Sequence, residues 1–202
     1  MTNKLKRKEN YPILVIHSTD NSFGFGLRKN NNLDSDELFI KKFDNDLCNN
    51  LINDLNKFIS KENLQKVNTI SVSIGPANFN ASRLIVVLAR TISQQINCPL
   101  NGFSSFEIMA RRIALKNNIF TNKKSFWIYK KLKRKGFIAG KYEICHNEKK
   151  PSNIVIRETV LPKVVQELES KELLYLSNKN LLNSNVDSWR KVLPLYPISP
   201  IN

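Results

Sequence analysis

The chain has 202 residues, a hydrophobic content of 41% and a formal net charge of +15. This length is sufficient for a substantial core, in one domain or in one domain with a small additional lobe. The apolar run at residues 11–16 is too short for a membrane span or a secretory signal, so we expect a cytoplasmic protein without membrane contact.

The positive charge is unevenly distributed. Lys, Asn and Ile are enriched together, a composition that an AT-rich genome produces without selection for binding. A tight basic cluster interleaved with aromatic residues nevertheless favours contact with a polyanion. The nucleic-acid-binding residues that we expect there are Lys130, Lys131, Arg134 and Lys135. A solvated basic hairpin without a ligand is the alternative.

The cysteines indicate no metal site. Cys48, Cys98 and Cys145 are odd in number and widely spaced, and the chain has two histidines, His17 and His146. Without a Cys-x-x-Cys pair, this pattern is neither a disulfide framework nor a zinc site.

The amino-terminal part of the chain predicts a flexible tail and three strands. Residues 1–10 are polar and basic, which is typical of a loose terminus. Residues 13–16 form an apolar run, residues 22–27 alternate, and residues 37–43 follow a turn, so each predicts a strand. Three successive strands predict an antiparallel meander.

A helix follows, for which Asp44 is a candidate cap. Its apolar stripe is typical of a core face. The stripe consists of Leu47, Leu51, Leu55 and Phe58.

The segment at residues 67–96 is the most informative. A β-rich run enters the Gly75-Pro76 turn, and an apolar helical run leaves it. Strand, tight turn and helix form one unit of an α/β fold, in which ligands usually bind at the loop beyond the strand's carboxyl end. Function is therefore expected first at residues 75–83.

The helix predicted at residues 82–96 is apolar around nearly its whole circumference. Such a helix must be covered on more than one side. Either the sheet and another helix of the same chain supply the two covers, or another subunit supplies the second.

The rest of the chain predicts shorter elements. Residues 98–102 read as a strand, and a helix capped by Ser104 or Ser105 runs to about residue 116. Further elements are a linker at residues 117–124, strands at 125–128 and 136–144, a helix at 160–168, a strand at 173–176 and a loop at 178–185. Prolines exclude a helix or a central strand from residues 192–200.

This order of elements is that of the ribonuclease-H-like half of the actin, sugar-kinase and Hsp70 superfamily. We therefore predict an α/β protein with a ribonuclease-H-like first lobe at residues 11–116. A shortened second lobe is predicted at residues 125–202.

The loop carries a closer resemblance. Gly75, Pro76, Phe79 and Arg83 are in register with the Gly-Pro-Gly-Ser-Phe-Thr-Gly-Xaa-Arg signature of the TsaB family, also called YeaZ. Segments at residues 13–19, 22–27 and 98–110 are similar to strands and a helix of that family, and residues 194–196 to its terminus. The chain thus resembles a divergent member over residues 11–145 and its last few residues.

The chain departs from the signature within the loop. Two family glycines are Ala77 and Ala81 here, and alanine resists backbone conformations that glycine allows. The family's Ser and Thr are Asn78 and Asn80. Downstream, an Asp-Ala-Arg turn is replaced by residues 129–131, Tyr-Lys-Lys, which removes an acid.

The residue at position 17 indicates that the chain lacks the phosphoryl-transfer chemistry found in other members of this superfamily. In phosphotransferases of this superfamily, an aspartate at the end of the first strand holds magnesium, which prefers carboxylate ligands. His17 stands at that place, and Asp20 lies in the expected turn. We expect no catalytic residue, metal or cofactor, and a packed, hydrogen-bonded His17.

The resemblance implies a non-catalytic scaffold subunit of the complex that makes threonylcarbamoyladenosine in tRNA. It implies pairing with a TsaD-like transferase through helices at residues 44–61 and 82–96, a TsaE-like ATPase as a further partner, and tRNA contact through the complex. The expected partner-binding residues are Leu51, Leu55, Phe58, Leu84, Val87, Leu88 and Thr91.

Three questions stay open at the level of sequence. The chain either homodimerises when alone or does not. It is alternatively a stand-alone nucleic-acid-binding module of ribonuclease-H shape, which would use the basic cluster without a partner. A cryptic ATP-dependent enzyme or glycoprotease-like hydrolase would require carboxylates that converge on His17.

Overall fold

A computed structural model describes residues 12–29, 36–42, 47–116, 125–131, 137–143, 152–153, 173–174, 177 and 186–195. The predicted tail at 1–10, linker at 117–124, helix at 160–168 and loop at 178–185 lie outside these residues, as do positions 134, 135 and 196–202.

Five strands form the first sheet. They are β1 Ile13–Ser18, β2 Ser22–Arg28, β3 Glu37–Lys42, β4 Thr69–Ser73 and β5 Leu100–Phe103. Their order is β3-β2-β1-β4-β5, with β1, β4 and β5 parallel and β2 and β3 antiparallel to their neighbours. The predicted meander is confirmed, and this topology is consistent with a ribonuclease-H-like fold.

The three longer helices follow the sequence pattern. The helices are α1 Leu47–Phe58, α2 Lys61–Gln65, α3 Phe79–Ile96 and α4 Ser105–Lys116, with a 3₁₀ helix at Val186–Lys191. The short α2 and the 3₁₀ helix were not predicted, because five or six residues carry too little periodicity. No helix in the described part of the chain is long and apolar enough to cross a membrane.

The α3 helix begins three residues before its predicted start. The side-chain oxygen of Asn78 accepts a hydrogen bond from the amide of Ala81 at 3.2 Å and so caps the helix. The first turn of α3 therefore lies within the signature loop, with Asn78 as its cap.

Alternate residues of β1 build two cores on opposite faces of the sheet. Leu14 and Ile16 pack towards α1 and α3, within a cluster that includes Phe25 and Ile85. Ile13 and Val15 face the other way. They pack with Phe103, with Ile108 of α4, and with Leu173 and Leu174. The central strands are therefore buried on both sides.

The edge of β5 is covered by the carboxyl-terminal part of the chain. The amide of Leu100 donates to the Ser188 hydroxyl at 2.8 Å. A Cβ on Gly102 would lie 3.0 Å from the Val192 side chain. Covering an edge strand protects its unpaired backbone groups.

The second sheet is a hairpin with a short third strand. It consists of β6 Ser125–Lys131, β7 Phe137–Glu143 and β8 Ser152–Asn153, which confirms the two predicted strands. Phe126 and Ile128 pack against Phe106, Ala110 and Ile113 of α4. Since α4 contacts both sheets, it joins the two parts of the chain; their division into two lobes stays a prediction.

The strand predicted at residues 173–176 is wrong. Leu173, Leu174 and Ser177 are helical, and the Ser177 hydroxyl donates to the Leu173 carbonyl at 2.6 Å. A short apolar run does not distinguish a strand from a buried helical turn.

Two of the predicted partner-binding residues point into the chain's own core. Leu51 and Leu55 are 1% and 4% exposed and pack beneath α1, so their prediction as partner contacts is corrected. The neighbouring Ile52 is 55% exposed. A stripe of leucines has the same sequence pattern whether it packs on a sheet or on a partner. Here it packs in the chain's own core.

The burial of Leu51 is testable by truncation. We expect Leu51→Ala to lower the free energy of unfolding by about 2 to 5 kcal/mol, since it removes buried contacts and leaves a cavity. Ile52→Ala, one position away, should change it by less than about 0.5 kcal/mol. Urea unfolding followed by circular dichroism measures both. Equal losses at the two positions would contradict this assignment of the α1 faces.

Candidate functional site

The Gly75-Pro76 loop lies at the carboxyl edge of the parallel strands, where the predicted site was expected. It leaves β4, which lies between β1 and β5. The Gly75 carbonyl accepts the Ser105 amide at 2.8 Å, and the Ile74 carbonyl accepts the Leu195 amide at 2.7 Å. The loop is therefore held between the start of α4 and the carboxyl-terminal segment.

Gly75 is the position of the loop that requires glycine. Its φ is +102°, a region that residues with a Cβ rarely adopt. Among the described residues other than glycine, Asn97 has a positive φ, whereas Ala77 and Ala81 do not. The two alanines that replace family glycines therefore occupy ordinary backbone conformations, and Ala81 is buried within α3.

The other signature residues divide between interior and surface. Pro76 is buried beside Gly75. Phe79 opens α3 and is exposed, and the Arg83 guanidinium lies 5.8 Å from the centre of its ring. This i, i+4 cation–π pair stiffens the first turn of α3. Arg83 is itself exposed, with its charge available at the surface.

Several buried hydroxyl groups surround the loop. The Ser73 hydroxyl accepts the Ser18 amide at 3.1 Å, which joins the ends of β1 and β4. Among the described residues, the hydroxyls of Ser18, Ser82 and Ser105 are buried without a hydrogen-bond partner. A serine nucleophile needs an adjacent general base. The contacts described for these hydroxyls include neither a histidine nor a carboxylate.

His17 is packed inside the sheet layer. It is 1% exposed and follows Ile13 and Val15 on the face that α4 covers, so its prediction as a packed residue is confirmed. Asp20 is exposed in the turn and pairs with Lys130 of β6. The acid and the histidine therefore do not converge. Within the described residues, no three His, Cys, Asp or Glu side chains form a metal-binding group.

A titratable cluster at the start of α4 was missed by sequence reasoning. Burial raises the pKa of Glu107, whose carboxylate accepts a hydrogen bond from the Ser104 backbone. Burial also raises the pKa of Tyr142, which bonds the Ser104 side chain and lies near the Glu107 charge. Ser-x-x-Glu at a helix start is a capping box. That spacing was available in the sequence, and it assigns Glu107 a structural role.

The α3 helix is buried on one side and open on the other. Its inner face consists of Ala81, Ser82, Ile85, Val86, Ala89, Ile92 and Ser93. On the outer face Val87 is 56% exposed, and Thr91 is exposed with its hydroxyl donating to the Val87 carbonyl at 3.0 Å. Leu84 and Leu88 are half-buried at the rim of the core.

The outer face of α3 and its rim bring together four of the expected partner-binding residues, Leu84, Val87, Leu88 and Thr91. Phe58 of α1 is half-buried and packs on Phe25 and Phe39, which makes it a core residue more than a contact residue. Ile52, which the sequence places with Ile59 in a second apolar stripe beside the leucines, was not among the predicted contact residues, although it is exposed.

A basic and aromatic group borders this surface. Two guanidinium groups lie near the Trp189 ring, that of Arg90 of α3 at 5.6 Å and that of Arg190 at 5.0 Å from its centre. The α3 sequence contains no acidic residue. The border of the open face is therefore positively charged.

The predicted nucleic-acid-binding lysines are only partly accounted for. Lys130 is paired with Asp20 and mostly buried, so its charge is neutralised within the chain. The Lys131 side chain, Arg134 and Lys135 lie outside the described residues. Trp127, one of the aromatic residues interleaved with the basic cluster, and Lys141, which the prediction did not name, are exposed on the described part of the hairpin.

Several solved structures share this architecture, and two of them are YeaZ-like proteins of Pseudomonas aeruginosa. "YeaZ from Pseudomonas aeruginosa" matches with a TM-score of 0.67 at 12% identity, over 92% of this chain and 99% of that one. An "uncharacterized protein with similarity to peptidase YEAZ from Pseudomonas aeruginosa" matches with a TM-score of 0.68, also at 12% identity over 92% and 99%. No protein-family model and no curated protein matches. The resemblance to YeaZ is thus confirmed as a likeness of fold.

The raised pKa of Glu107 predicts a pH-dependent stability. The folded chain holds the proton of the Glu107 carboxyl more tightly than the unfolded chain. The contribution of Glu107 to the free energy of unfolding therefore falls as the pH rises above 4.5, the ordinary pKa of a glutamate. Glu107→Gln, which stays neutral and keeps an acceptor for the cap, should be more stable than wild type at pH 7. Urea unfolding between pH 4 and 7.5 should show this advantage shrinking as pH falls.

The matched control is Glu62→Gln on α2, an exposed position. It should change stability by less than about 0.5 kcal/mol at either pH. An advantage of Glu107→Gln that is equal at pH 4 and pH 7 would contradict the role of burial.

The positive φ of Gly75 predicts that a side chain at this position destabilises the fold. Gly75→Ala should lower the free energy of unfolding by about 1 to 3 kcal/mol, because the new Cβ is strained in this conformation. The nearest atoms are at 3.4 Å, so the cost comes from the backbone more than from crowding. Unchanged stability would mean that the loop adopts a negative φ without loss.

Proposed function

We propose that this chain is a non-catalytic, TsaB-type scaffold subunit of the assembly that makes threonylcarbamoyladenosine in tRNA. The YeaZ-like fold over nearly the whole chain supports this proposal. So does the loop signature, because Gly75 keeps the one loop conformation that requires glycine. The tRNA is bound through the complex, in which a TsaE-like ATPase is a further partner.

The open face of α3 is the observation that carries the proposal. Val87 and Thr91 lie one turn apart on the exposed side of a helix whose inner side is fully buried. Leu84 and Leu88 extend this strip to the rim of the core. An apolar strip of this kind on a helix fits the side of another helix. The TsaD-like transferase is the partner that we assign to it.

The contact residues are revised by the burial of the leucines of α1. Leu51 and Leu55 support α1 from within, and Ile52 takes their place at the surface. The proposed contact therefore consists of Val87, Thr91, Leu84, Leu88 and Ile52. In the absence of the transferase, the same strip would pair with a second copy of this chain.

A scaffold role accords with the chemistry near the loop. His17 replaces the carboxylate that magnesium would need, and it is buried. The buried serines have no base among their described contacts. No observation therefore favours the hydrolase alternative over the scaffold.

A charge on the open face tests the proposal. We expect Val87→Asp to abolish pairing with a co-expressed TsaD-like protein, because an unpaired carboxylate would be desolvated in the contact at a cost of about 3 to 5 kcal/mol. This corresponds to a loss of more than a hundredfold in affinity. Light scattering after size-exclusion chromatography measures the assembly.

The exposure of Val87 separates pairing from folding. Val87→Asp should keep a cooperative thermal transition near that of wild type, whereas Leu84→Asp and Leu88→Asp should lose both stability and pairing. Gln65→Glu, exposed on α2, adds the same charge elsewhere and should preserve the complex. A Val87→Asp chain that still elutes with its partner would refute the assigned contact.

A further inference from the structure

The β6–β7 hairpin has an inner and an outer face of different character. Phe126 and Ile128 face inwards and are buried against α4. Trp127 lies between them in sequence and therefore points to the other side, where it is 53% exposed. Tyr129 follows two residues later on the same outer face. The outer face thus presents aromatic rings on a supported sheet.

A cation accompanies the exposed ring. Trp127 is paired across the strands with Lys141, and the ammonium group lies 6.0 Å from the indole centre. Lys141 is exposed. This cation–π contact keeps positive charge beside the ring, within reach of a group that covers the indole.

The charge of this segment indicates which partner the face accepts. Residues 121–143 contain one acid, Glu143. The basic residues in the same segment are Lys123, Lys124, Lys130, Lys131, Lys133, Arg134, Lys135 and Lys141. The charge of Lys130 is paired with that of Asp20 in a salt bridge. The segment that carries the exposed indole therefore has a strong excess of positive charge in its sequence, which complements a polyanion that carries flat rings.

We infer that the outer face of this hairpin binds single-stranded nucleic acid, with an unpaired base stacked on Trp127 and a phosphate beside Lys141. Bases of a duplex are stacked on each other and do not reach a ring on a flat sheet, whereas unpaired bases stack on exposed aromatic side chains. The surface belongs to the isolated chain and lies on a different element from α3. The inference therefore does not depend on the proposed pairing.

Binding of labelled oligonucleotides to the isolated chain tests this inference. The probes are a 12-nucleotide oligouridylate, an oligothymidylate of equal length and an RNA duplex, each followed by fluorescence anisotropy at low salt. We expect Trp127→Ala to weaken single-strand binding by about 5- to 100-fold, the usual effect of removing one stacking ring. Trp127→Tyr should restore most of the affinity.

Tryptophan fluorescence gives an independent signature. The chain has two tryptophans, Trp127 and Trp189. A base stacked on the indole should quench the emission of wild type, and this quenching should be absent from Trp127→Phe. Because the side chain is exposed, a thermal transition near that of wild type is expected for each variant.

The salt dependence of oligonucleotide binding tests the proposed phosphate contact of Lys141. Lys141→Ala should reduce the slope of log affinity against log salt by about 0.7, the value of one phosphate contact on a single strand. Lys57→Ala, an exposed lysine on α1, is the matched control and should leave the slope unchanged.

The outcomes separate cleanly. Binding of either single strand that depends on an aromatic residue at position 127 supports the inference, whichever sugar the probe carries. Absence of single-strand binding by wild type overturns it. It is equally overturned if Trp127→Ala binds as wild type does, or if the duplex binds as tightly as the single strands, since both results describe diffuse attraction to a basic protein. None of these results affects the pairing measured with Val87→Asp.

Discussion

Burial of the central strands on both faces is the constraint on which the rest of the structure depends. Leu14 and Ile16 require cover from one side, and Ile13 and Val15 require it from the other. Helices α1 and α3 therefore pack on one face and α4 on the opposite face. Each helix has its inner surface committed to the sheet, and only its outer surface remains available for other contacts.

The same constraint positions the loop and the hairpin. Parallel β1, β4 and β5 end at one edge, where Gly75 turns the chain into α3 and its carbonyl receives the first amide of α4. The opposite side of α4 then carries Phe106 and Ile113, which support the hairpin. The Trp127 ring is consequently held on a strand that packs on α4, which suits stacking.

The two proposed surfaces differ in the chemistry that they offer. The strip around Val87 is apolar and borders the arginines that stack on Trp189, so it suits a protein helix. The outer hairpin face combines an indole with lysine, so it suits bases and phosphates. A subunit with both surfaces would hold a protein partner on one side while contacting single-stranded nucleic acid on another.

Sequence by itself determined the order of elements, the antiparallel meander and the position of the loop, because alternation, periodicity and a Gly-Pro turn are local properties. It also showed that His17 stands where an acid would be needed. Only the tertiary structure decided which face of each element is covered: it buried Leu51, exposed Val87 and Trp127, and paired Lys130 with Asp20. Those outcomes depend on contacts between residues distant in sequence, about which a local sequence pattern carries no information.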